Sequence, residues 1–62
     1  MNKVKDRREE LSMTQQELAE KANVSRYLIS QIENNSDINL TKNTMVALAE
    51  ALDCKVTDIF LF

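Results

Sequence analysis

Met13-Thr-Gln-Gln-Glu-Leu-Ala-Glu-Lys-Ala-Asn-Val-Ser-Arg-Tyr-Leu-Ile-Ser-Gln-Ile-Glu-Asn34 is the stretch whose reading decides the fold. It opens on Thr14-Gln-Gln-Glu17, the pattern of a capping box. There the threonine side chain accepts from an orphan backbone N–H and the glutamate reaches back to the threonine N–H. Leu18, Ala19 and Ala22 then share one helical face. Asn23 follows at a point where the chain must turn, and asparagine tolerates the left-handed conformation that ends a helix. Val24 is an apolar plug, and Ser25 is a good N-cap for the next helix. In that helix Ile29 and Ile32 point inward, and it is expected to end near Asn34.

Two short helices that cross steeply need a small residue where their backbones meet, a turn residue, and apolar residues at fixed offsets. Ala19 is the small residue and Asn23 the turn. Leu18, Ala22, Val24, Ile29 and Ile32 form the lock. All fall in register, so residues 14–34 predict a helix-turn-helix.

Outward from this core, residues 3–11 predict a first helix, with Val4 and Leu11 on one face and Arg8 beside them. Asn34-Asn35-Ser36-Asp37 predicts a polar loop. Thr41 caps a fourth helix whose Met45, Leu48, Ala49 and Leu52 repeat at three and four, and Asp53 ends it. A short fifth helix is expected to carry Val56, Ile59 and Phe60. The predicted fold class is all-α: one compact five-helix domain over residues 1–62, with the helix-turn-helix in helices 2 and 3.

Composition narrows the function. A chain of 62 residues holds one domain at most and buries little surface. Cys54 is the only cysteine, which excludes an intramolecular disulfide, and the absence of histidine leaves no expectation of zinc. Cys54 reads as a core thiol with no basic neighbour to lower its pKa. Hydrophobic residues at 44% and charged residues at 29% describe a globular chain, neither disordered nor membrane-embedded. With no signal-like N-terminus, the expected location is the cytoplasm. No catalytic histidine, glycine-rich phosphate loop or metal cluster appears, so an enzyme is not expected, and neither a cofactor nor a small-molecule ligand is implied. The net charge of −2 runs against the usual basic character of nucleic-acid binders. Residues 1–35 balance six cations with six carboxylates, while residues 36–62 hold two cations against four carboxylates.

The stretch from Met13 to Asn34 resembles the Cro and lambdoid phage-repressor family of helix-turn-helix regulators. Leu48-Ala-Glu-Ala-Leu52 and Asp58-Ile-Phe60 are similar to that family's fourth and fifth helices. The resemblance implies a lambda-repressor-like, DNA-binding domain whose partner is double-stranded DNA. It implies that Gln15 contacts a phosphate and braces the first residue of helix 3. Arg26, Tyr27, Ser30 and Gln31 would face base edges in the major groove, with Arg26 suited to guanine and Gln31 to adenine. Asn34, Asn35 and Ser36 would offer donors to phosphate. Arg8 and Glu33 match a family ion pair that ties helix 1 to the end of helix 3.

The chain departs from the family at Asn23 and Asn35, where glycine is usual, and at Asp37, where a base is frequent. Leu28 falls at the edge of helix 3, either toward DNA or over the loop. Ile38, Leu40, Phe60, Leu61 and Phe62 form a candidate apolar seam for a homodimer. The reading is therefore a sequence-specific transcriptional regulator, a repressor acting as a dimer on a palindromic operator. The alternative is an antitoxin-like protein-interaction module that keeps the fold but binds DNA weakly or not at all.

Overall fold

The computed structural model describes residues 2–35 and 38–60. Five helices follow in order: α1 (Val4–Glu10), α2 (Gln15–Ala22), α3 (Arg26–Asn34), α4 (Lys42–Ala51) and α5 (Val56–Ile59). They pack into a body of about 25 × 21 × 19 Å, with α2 lying against both α3 and α4. Val4, Leu18, Ile29, Ile32, Leu48, Leu52 and Ile59 are almost completely buried at its centre. Ala19 and Ala22 are buried with them, which lets α2 approach its neighbours closely.

The predicted caps are present. Thr14 Oγ1 accepts from Glu17 N at 3.0 Å, and Glu17 Oε1 accepts from Thr14 N at 2.8 Å, closing the capping box. Ser25 Oγ accepts from Leu28 N, and Thr41 Oγ1 accepts from Thr44 N. At the start of α5, Asp58 Oδ2 accepts from Lys55 N at 2.9 Å.

One turn design recurs three times. Ser12, Asn23 and Asp53 have φ of 54°, 57° and 53°, the left-handed region that glycine usually fills. The chain contains no glycine. Behind each one, the backbone closes in the same way: Met13 N donates to Arg8 O, Val24 N to Ala19 O, and Cys54 N to Ala49 O, at 2.9–3.0 Å. These are six-to-one closures of the Schellman type, in which the residue after the left-handed one packs on the helix it ends. Met13, Val24 and Cys54 are each half-buried against the core. Thr14, Ser25 and Lys55 follow at once as N-caps, so three residues lead from one helix into the next.

Several expectations need correction. Helix 1 ends at Glu10, and Leu11 is 38% exposed rather than sharing the inner face with Val4. The left-handed turn at Ser12 begins one residue later and swings Leu11 off the core. Helix 5 stops at Ile59: Phe60 is extended (φ −118°, ψ 128°) and pairs antiparallel with Asn2. Phe60 is only 8% exposed within the single chain, so it has little surface left for a dimer seam. Ile38 and Leu40 are half-buried against the core, and Leu61 and Phe62 lie outside the described residues. Leu28 packs against the core edge. Cys54 is half-buried rather than central, and Arg7 is a basic neighbour after all; burial still outweighs that charge and pushes the thiol above its usual range.

Asn2 and Arg7 carry ties that composition and periodicity do not signal. Asn2 Nδ2 donates to Ile32 O at 3.0 Å, and Lys3 N donates to Ile59 O at 2.7 Å. Together with the Phe60 pairing, these link the chain start to the ends of α3 and α5. Arg7 Nε and Nη2 donate to Leu52 O and Asp53 O at 3.0 and 3.2 Å. A cation on those last carbonyls also complements the negative end of α4.

Candidate nucleic-acid interface

Successive residues of an α-helix are about 100° apart around its axis. On α3 this puts Arg26, Tyr27, Ser30, Gln31 and Asn34 on one side, opposite Ile29 and Ile32. The two isoleucines are wholly buried. Arg26 and Asn34 are exposed, Tyr27 is 72% exposed, and Ser30 and Gln31 are half-exposed. The core therefore fixes which side of α3 faces out. Asn34 Nδ2 donates to Ser30 Oγ at 3.3 Å, so part of that side is ordered within the helix.

The charge on this side is settled by one contact. Glu33 is the only carboxylate in α3, and its side chain is 2% exposed. It accepts from Arg8 Nε at 2.7 Å through Oε2, and from Arg8 Nη2 at 3.1 Å through Oε1. Such a bidentate pair is geometrically specific. Arg8 Nη1 also donates to Met13 O at 2.7 Å, binding the first turn into the same knot. The hydrogen bond to Glu33 holds the Arg8 guanidinium still more firmly protonated than usual, against a smaller opposing effect of burial. The outward side of α3 thus presents one free cation, Arg26, and no free carboxylate among its described residues. The acidic excess of the chain is carried by residues outside this side.

Gln15 departs from its expected partner. Its Nε2 donates to Glu33 Oε1 at 3.1 Å, so its brace runs to the end of α3 rather than to Arg26 at the start. The crossing of α2 and α3 brings Glu33 beside Gln15, and its carboxylate accepts from the Gln15 amide where the Arg26 guanidinium can only donate. Gln15 nevertheless lines a shallow hollow together with Arg26, Tyr27 and Ser30. The hollow lies between the start of α2 and the first half of α3. Asn35 N donates to Gln31 O at 2.8 Å, so that N–H closes the helix and is not available to a phosphate. Ser36 and Asp37 lie outside the described residues.

Among the described residues, no cluster of carboxylates and thiols is arranged to hold a metal ion, and no helix is long and apolar enough to cross a membrane. No curated protein matches the chain. A family model described as helix-turn-helix (HTH_3) matches residues 4–59, from the start of α1 to the end of α5. The chain therefore belongs to the helix-turn-helix family of the Cro and phage-repressor type, a family of DNA-binding regulators.

Proposed function

We propose that this protein is a sequence-specific transcriptional regulator that lays α3 in the major groove of an operator and represses by occluding a promoter. The observation that carries the reading is the outward side of α3. It combines Arg26, Tyr27, Ser30, Gln31 and Asn34, all hydrogen-bonding side chains, while its one carboxylate is turned inward and paired. Arginine suits guanine O6 and N7, and glutamine suits adenine N6 and N7. Backbone phosphates fix register, and the base edges carry the sequence information. Gln15, at the start of α2, sits beside this surface and supports it. Binding as a two-fold dimer in the cytoplasm follows from family likeness. Ile38 and Leu40 keep partial exposure at the edge of the core and remain the described candidates for a seam.

Selection from random duplex DNA at moderate salt tests this directly. The expected result is an enriched inverted repeat with half-sites about one helical turn apart. A folded protein that enriches nothing would overturn the reading in favour of a protein-interaction module. The acidic balance of residues 36–62 is what favours that second reading.

A further inference from the structure

The Arg8–Glu33 ion pair lies below the proposed DNA surface, yet it is joined to that surface through Gln15. A carboxylate only accepts hydrogen bonds, and Arg8 already donates to both oxygens of Glu33. The group of Gln15 that approaches Glu33 must then be its NH2, which turns the amide oxygen away from the carboxylate. This sets both the position and the polarity of the Gln15 amide at the wall of the hollow that Arg26, Tyr27 and Ser30 complete. An unanchored glutamine would have many rotamers to lose on binding. Here the ordering is done during folding, by the buried pair.

Resting on the regulator reading above, we infer that Glu33 is a positioning residue for operator recognition, acting through Gln15 and not only through the stability of the fold. The Gln15 amide stays on Glu33 when DNA is bound. Arg8 anchors Glu33, Glu33 anchors Gln15, and Gln15 sets one wall of the reading site. Discrimination between sequences therefore depends on a hydrogen bond that touches no base.

Glu33→Asp, Gln15→Ala and the double variant test this. Aspartate keeps the charge opposite Arg8 but is one methylene too short to serve Gln15 as well. The readout is the preference for the selected operator over a scrambled duplex, at a temperature where melting curves show each variant folded. Each single variant should lose about fivefold in preference, the scale of one hydrogen bond, and the double variant should lose no more. Losses that multiply, or a Glu33→Asp protein as selective as the parent, would overturn the inference. NMR of the unmodified protein gives a second reading that does not depend on any variant folding. The Gln15 side-chain amide protons should exchange slowly and stay hydrogen-bonded to Glu33 after operator is added. Release of that amide from Glu33 on DNA binding overturns the inference. If the unmodified protein shows no sequence preference, the regulator reading fails and takes this inference with it. A selective parent with multiplying losses sinks this inference alone.

Discussion

Arg26 and Gln31 hold the outward side of α3 with no role in the core, and Glu33, further along the same helix, is turned inward. Residues so placed separate binding from stability. Arg26→Ala and Gln31→Ala should each weaken operator binding by about 1–3 kcal/mol and leave the melting temperature nearly unchanged. Titration of labelled operator, with thermal melts alongside, checks both halves of that statement. Parental affinity in both variants would take base reading away from α3. Arg26, Tyr27, Ser30 and Gln31 were singled out by the family resemblance, and the helical period that turns Ile29 and Ile32 inward agrees with their outward placement. The partner of Gln15 was not legible in the sequence. Glu33 lies 18 residues away along the chain, and only the crossing of α2 and α3 brings the two side chains together.

At the scale of elements, α2 depends on its capping box. Hydrogen bonds from the Thr14 backbone, and then from its side chain, hold the Glu17 carboxyl below the usual range. A depressed folded-state pKa means that the stabilisation is present above the unfolded value, about 4.3. It is lost as pH falls through the lower folded value. Glu17→Gln should therefore melt below the parent at pH 7, and the difference should shrink toward pH 3. Melting curves across that range give the answer, and a constant difference would remove the ionised cap from the account. The caps could be read from the sequence because Thr14, Ser25 and Thr41 precede apolar periodic runs. The left-handed turn at Asn23 and the helix end at Asp53 were equally visible. Ser12 was not, because serine gives little sign of a left-handed role; its one signal is the apolar Met13 behind it, matching Val24 and Cys54 behind the other two.

For the whole molecule, stability is the limiting quantity. A chain of 62 residues commonly keeps roughly 3–9 kcal/mol of folding free energy. Leu48 is fully buried in α4, and Leu48→Ala should cost about 2–5 kcal/mol through lost transfer energy and the cavity left behind. Urea unfolding should show most of the stability gone, with DNA binding failing only as the folded fraction falls. Binding abolished in a variant that remains folded would contradict this division between core and surface. The same small size explains the ties at the chain start. Asn2, pairing with Phe60 and donating to Ile32 O, adds cross-links that a core this small cannot supply by burial alone.

The sequence by itself determined that there are five helices, the caps at Thr14, Ser25 and Thr41, the register of the helix-turn-helix and the side of α3 that faces out. These are local quantities, set by spacings of three and four residues and by the conformational preferences of Thr, Ser, Asn and Asp. Only the tertiary structure decided that Phe60 is buried, that Leu11 is not, that Asn2 and Arg7 cap distant backbone carbonyls, and that Gln15 belongs to Glu33. Each of those depends on how helices cross and where the chain start lands. Hydrogen bonds between residues 18 to 46 positions apart leave no periodic trace in the sequence.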